Sequence, residues 1–200
     1  KNMSLWGASD SDESKPKNLT TAEKKEVFAN TKGWVREAGS ASSGNDNTSA
    51  DEEVLVAIGG LSAALGAADI TQIEFISTTF DKSDGGTLSA RVRFNEPVAV
   101  VTTGGTPTLA VTNGNQGSGS GRGPHALAYA SGTGTNELVF SLAIGAANSA
   151  TNADDVLTIG ENALALNSGT IKDVATSTTN ATITNSADIG TAAGSITVTA

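Results

Sequence analysis

Few residues in this chain have the types and spacing that chemistry requires. The only histidine, His125, precedes an apolar alternating run and follows a glycine-rich stretch. A general base needs positioned partners, and none stands near it in the sequence, so it reads as an exposed loop residue. Gly117-Ser-Gly-Ser-Gly121 matches the nucleophile-elbow pattern by letter, but it lies in low-complexity sequence rather than at a strand-to-helix turn. The carboxylates worth weighing for calcium are Asp81 with Asp84, Asp154 with Asp155, and Asp173. Calcium asks for six to eight oxygens, mostly from carboxylates close together on one loop. Asp81-Lys-Ser-Asp-Gly85 reads better as an Asx-type turn. There is no cysteine, which removes disulfides, thiolate metal sites and a thiol nucleophile. The reading is therefore of a protein that is not an enzyme, with no catalytic residue, no metal and no cofactor.

Aromatic side chains carry more information. Trp6 and Trp34 stand out in a chain that is 4% aromatic, and both lie in its polar, charged leading segment. Such a ring either folds back on the rest of the chain or fills a pocket on a partner, a role aromatics dominate in interfaces. The candidate partner-binding residues are Leu5, Trp6, Lys15, Pro16, Lys17, Phe28 and Trp34. Lys15-Pro-Lys17 is either a solvated spacer or a pair of cations for acidic groups on that partner.

Charge marks a boundary. Residues 1–53 hold 7 of the 12 Lys/Arg and 10 of the 21 Asp/Glu, and the following 147 residues are sparsely charged. The division is a docking arm over 1–52, extended and mostly irregular, and a β-domain over 53–200. Thr20-Thr-Ala-Glu23 has capping-box spacing for a turn or two of helix. Gly33–Ala38 fits a short strand, and 40–51 fits a polar loop.

From Asp69 the rhythm is that of strands. Leu138, Phe140, Leu142 and Ile144 fall on one face, as do Leu88, Ala90, Val92 and Phe94. Strands packed on one face and wetted on the other belong to antiparallel sheets. Candidate strands are Ile70–Phe80, Thr87–Phe94, Val98–Thr102, Thr106–Thr112, His125–Ala130, Glu137–Ile144, Asp155–Gly160, Asn180–Thr184 and Ser195–Thr199. Turn signals such as Asp84-Gly-Gly86 and Thr103-Gly-Gly105 separate them. Short strands at this spacing predict an all-β antiparallel sandwich. Net charge of −9, with no basic cluster beyond Lys24-Lys25, argues against nucleic acid. No apolar run reaches the length of a membrane-spanning helix.

Four segments occur in a recognisable order: Phe94-Asn-Glu-Pro-Val98, Gly105-Thr-Pro-Thr-Leu-Ala-Val-Thr-Asn-Gly114, Tyr129-Ala-Ser-Gly-Thr-Gly-Thr-Asn-Glu-Leu-Val-Phe140 and Leu164-Ala-Leu-Asn-Ser-Gly-Thr-Ile-Lys-Asp173. Over residues 70–185 this resembles the immunoglobulin-like β-sandwich modules repeated in very large bacterial surface adhesins. The Gly/Arg insert at 113–124 departs from the short hairpin usual there. The leading segment resembles the N-terminal part of virion structural proteins of marine tailed bacteriophages. It does so through Met3-Ser-Leu-Trp-Gly7, Lys15-Pro-Lys17, Phe28, Gly33-Trp34, Ala38-Gly39, Ser43–Thr48 and Glu53–Ile58. Together the resemblances imply a capsid decoration protein on the outer surface of a phage head, with many copies per particle and scope for a homo-oligomer. The expected partner is the major capsid protein or another virion subunit. Two alternatives are a neck or tail accessory and a cell-surface adhesion module that binds carbohydrate or cell-wall material.

Overall fold

The structure is a computed structural model, and it describes residues 15–30, 32–57, 67–114 and 123–200. Its C-terminal part is built from strands packed by their alternating apolar faces, as that alternation requires. The strands are β4 (Ile70–Phe75), β5 (Phe80–Asp81), β6 (Gly86–Val101), β7 (Thr108–Gly114), β8 (His125–Ser131), β9 (Thr135–Ile144), β10 (Val156–Thr158), β11 (Leu164–Ala165), β12 (Thr170–Asp173) and β13 (Ser195–Thr199). They run in the order β12-β6-β9-β8-β7-β10-β13-β5, with β4 added on β6 and β11 on β7. All pairings are antiparallel except β13 with β5. This is an all-β, sandwich-like fold, as the sequence indicates.

Leu88, Ala90, Val92 and Phe94 are wholly buried, with Leu109, Val111, Leu127, Leu138 and Phe140 around them. One apolar cluster runs through the whole sandwich. It is built mostly from Val, Leu and Ile, each supplying a modest area. Tyr129 meets Phe140 edge-on at 6.0 Å between ring centres.

Several boundaries differ from expectation. Thr87–Phe94 and Val98–Thr102 are a single long strand, β6, whose register against β9 shifts between Arg93 and Val98. A bulge of this kind bends a strand without ending it, and Asn95-Glu-Pro97 gives the sequence appearance of a turn. The expected strand Ile70–Phe80 breaks into β4 and β5. Asn180–Thr184 forms only isolated bridges, Asp69 with Thr182 and Lys172 with Asn180. A short helix, α2 (Ala187–Ala192), capped by the Ser186 side chain on the Ile189 amide, precedes β13. β13 completes the sandwich between β10 and β5. Gly132, at φ +108°, turns β8 into β9, and a Cβ there would collide with the Glu137 carbonyl.

The leading segment is not the irregular arm expected. After a one-turn helix, α1 (Thr21–Lys24), with the expected capping box at Thr20 and Glu23, come β1 (Val27–Asn30), β2 (Gly33–Arg36) and β3 (Glu53–Ala57). They form a separate antiparallel sheet in the order β1-β2-β3. A 3-10 turn, Ala41–Ser43, lies between β2 and β3. Its opening amides are held by the Glu26 carboxylate, which accepts from Ala41 N at 3.1 Å and Ser42 N at 3.0 Å. Burial works against that charge, but the donors from Ser42 and Ala41 prevail and hold Glu26 below the usual carboxylate range.

Candidate functional site at the junction of the two sheets

In β1 and β2 the alternation of side chains puts Phe28 opposite Val35 on one face and Ala29 opposite Trp34 on the other. All four are buried. Val27, Ala29 and Trp34 form a small core of their own with Leu19, Leu55 and Val56. Phe28 faces Arg93 of β6, whose guanidinium carbon lies 4.6 Å from the ring centre. An aromatic face attracts a cation at this range, and more strongly when water is excluded.

Arg93 is wholly buried, which a cation tolerates only when fully paired. Its Nε donates to Glu137 Oε1 at 2.6 Å, and Nη2 reaches Glu37 Oε2 at 2.5 Å and Glu74 Oε1 at 3.4 Å. Nη1 donates to the Lys25 carbonyl and to Gln72 Oε1, each at 3.3 Å. Arg91 shares the same three acids. It donates from Nε to Glu74 Oε1 at 2.8 Å, pairs with Glu137 Oε2 at 3.3 Å, and makes a very short pair with Glu37. Glu37 follows β2, Glu74 is on β4 and Glu137 on β9, so the network joins the small sheet to two strands flanking β6.

The electrostatics follow from this geometry. Burial would push Glu137 up, but Arg93 and Arg91 overcome it and hold the carboxyl below its usual range. Burial would lower Arg93, and Glu74, Glu137 and Glu37 more than reverse it, so the guanidinium stays charged. Two arginines and three glutamates thus meet at one junction.

Beside the network opens a cleft of about 420 Å³ lined by Phe28, Glu37, Thr48, Asp51, Asn136 and Glu137, among others. Its acids at Glu37 and Glu137 are engaged by the arginines. The Thr135 hydroxyl is turned into its own hairpin, donating to the Gly132 and Glu137 carbonyls. Among the described residues the cleft presents no nucleophile with an adjacent base.

The sequence-selected residues fall into three groups. Leu5 and Trp6 lie outside the described residues. Lys17 is exposed and Pro16 half-buried. Phe28 and Trp34, expected as anchors in a partner, are buried in their own chain, and Lys15 is buried as well. The correction has a physical cause. Strand alternation gives each ring a face to pack on: Phe28 lies against Arg93 on the outer face of β6, and Trp34 packs with Val27, Ala29, Leu19, Leu55 and Val56. Lys15 Nζ donates to the Lys24 carbonyl at 2.6 Å and contacts Gln72 Oε1 at 3.5 Å.

The residues that form the junction were not selected from the sequence. Arg91, Arg93 and Glu137 sit at the positions assigned to the solvated faces of β6 and β9, with Arg93 directly opposite Glu137. Two arginines alternating with core residues, opposite a glutamate, were the available signal.

The remaining candidates also have definite places. His125 is buried at the start of β8, contrary to its reading as an exposed loop residue. Asn113 Nδ2 lies 3.3 Å from its Nε2 and donates to Asp155 Oδ2 at 3.0 Å, a bridge between β7, β8 and the start of β10. Burial pushes His125 down, against a smaller upward pull from Asp155. Asp81 forms the expected turn, accepting from Ser83 N and Asp84 N. Asp173 accepts from Ala175 N and Thr176 N. Among the described residues no three acidic or histidine side chains gather as they would around a metal ion. None of the described helices is long and apolar enough to cross a membrane.

The chain matches no family model, no curated protein and no solved structure.

Proposed function

We propose that this is a non-enzymatic structural protein of a tailed-phage particle, most readily a capsid decoration protein on the outer surface of the head. The observation that carries the reading is the junction. Arg93 and Arg91, bound to Glu37, Glu74 and Glu137, fasten the small sheet to the sandwich as one body. A rigid all-β body fastened by an internal ion network suits covering or spacing. The resemblance of the leading segment to phage virion proteins supplies the particle.

Docking is assigned to the sequence ahead of Lys15, with Leu5 and Trp6 as its apolar side chains, because Phe28 and Trp34 are occupied within the chain. The partner is the major capsid protein or a neighbouring virion subunit, bound in many copies. Bound in this way, the protein stabilises the shell by ordinary linkage, since it binds the assembled particle and not its separated subunits.

The carbohydrate-binding alternative calls for an exposed aromatic platform on the sandwich. Phe80, Phe94 and Phe140 are buried there. Phe75 and Tyr129 are packed against the core, with the Tyr129 hydroxyl accepting from Thr133 N. The observations therefore favour the structural reading.

The test is co-sedimentation of the full chain, and of a chain beginning at Lys15, with undecorated phage heads. Saturable binding of the full chain and loss of binding by the shorter one is the expected result. A full chain that stays in the supernatant at every ratio overturns the proposal.

A further inference from the structure

We infer that the cleft beside the junction binds a basic side chain, lysine or arginine, presented on an extended segment of a partner polypeptide. Its volume of about 420 Å³ lies in the range of sites that hold a small ligand. Phe28, Ala38 and Ala50 give it apolar wall, and Glu37, Asp51, Glu52 and Glu137 give it acid. Residues of β1, of β9 and of the loop ahead of β3 meet there, so the cleft exists only because the leading segment folds on the sandwich.

The acids in and beside the cleft outnumber the cations that serve them. Arg91 and Arg93 are shared by Glu37, Glu74 and Glu137, and Lys32 takes Glu52 at 2.9 Å. With Asp51 counted, five carboxylates face three cations. Asp51 is exposed and makes no ion pair among the described residues. The chain as a whole, at −9, adds a long-range field that draws basic partners.

A second observation narrows the ligand. Asn136, on β9, is only 9% exposed, and its Nδ2 has no hydrogen-bond partner. A buried N–H left unpaired is costly and rare, and an acceptor bound in the cleft relieves it. The ligand must therefore bring an acceptor as well as a positive charge. An anion would be repelled by the carboxylates, and an inorganic cation would leave Asn136 unserved. One basic residue in an extended chain carries both groups. Its carbonyl accepts from Asn136 Nδ2, its aliphatic stem lies along the apolar wall, and its charged head meets Asp51.

The inference stands apart from the phage assignment, and its test needs no particle. Two-dimensional NMR of the isotope-labelled full chain, titrated with acetyl-Gly-Lys-Gly-amide and with its arginine counterpart, tests it. The control peptide carries norleucine, which keeps the stem and lacks the charge. The expected result is saturable shifts at Thr48, Asp51 and the Asn136 side-chain amide, with none from the norleucine peptide. Asp51→Asn should weaken binding about fivefold, the scale of a solvent-exposed ion pair, and added salt should act in the same direction. Asn136→Ala should weaken binding and leave the salt dependence in place. Absence of a saturable shift at the cleft with both basic peptides overturns the inference. So does equal binding of the norleucine peptide, which would make the cleft an apolar slot. Both comparisons use the natural chain, so the result does not depend on whether any variant folds.

Discussion

The guanidinium carbon of Arg93 lies 4.6 Å from the centre of the Phe28 ring, with no solvent reaching the arginine. Phe28 comes from a segment rich in charge and Arg93 from the outer face of a sandwich strand. Their contact makes the leading segment part of the folded body. It also sets the first prediction.

Replacing Arg93 by Ala removes the buried one of the two cations that Glu37, Glu74 and Glu137 share, and leaves Arg91 alone to balance three carboxylates. Breaking a buried ion cluster from one side costs about 3–5 kcal/mol. Urea unfolding of Arg93→Ala should show a loss of this order. Arg93→Lys should recover only part of it, because an ammonium cannot reproduce the forked contacts. A variant as stable as the parent would mean that the network does not hold the junction.

Acid should loosen the junction in a defined direction. Glu137 is held below its ordinary value of 4.5 in the folded chain. Its contribution to stability is therefore complete above that value and is lost as pH falls through the lower folded value. Burial holds His125 below its ordinary 6.5. The unfolded chain thus takes up that proton first, and stability falls as pH drops below 6.5 toward the folded value. Chemical denaturation from pH 7 to pH 3 should show both losses. His125→Gln should remove the upper one and leave the lower one in place. A flat profile down to pH 3 would contradict both assignments.

Trp34 fills a core formed by only a few side chains, so its loss should act locally. Truncating a buried Trp to Ala costs about 3–5 kcal/mol where the site cannot collapse. That figure rivals the stability of a small three-stranded unit. Trp34→Ala should lose amide protection over β1–β3 while β6 and β9 stay protected. Equal loss across both sheets would show that the two open as a single cooperative unit.

Much of the sandwich was legible because its strands alternate cleanly: Leu88, Ala90, Val92 and Phe94 are buried as their spacing requires. The continuity of β6 was hidden by Asn95-Glu-Pro97, where residues typical of a turn instead accommodate a register shift. The junction was harder to read because it is made by long-range pairing. Arg93 and Glu37 are 56 positions apart, and each alone looks like a solvated charge. The leading segment misled for the same reason. Val27-Phe-Ala-Asn30 and Gly33-Trp-Val-Arg36 are too short to stand alone, and only the surface of β6 together with β3 makes a sheet of them. His125 went unread because its partners, Asn113 and Asp155, come from other strands and loops.

The central claim is that the segment from Lys15 to Ala57 folds on its own sandwich rather than waiting for another molecule. Hydrogen–deuterium exchange of the isolated full chain, with no particle present, tests it most directly. The account predicts slow exchange at Phe28, Ala29, Trp34 and Val35, comparable in rank with β6. Free exchange across β1 and β2 while β6 stays protected would contradict it.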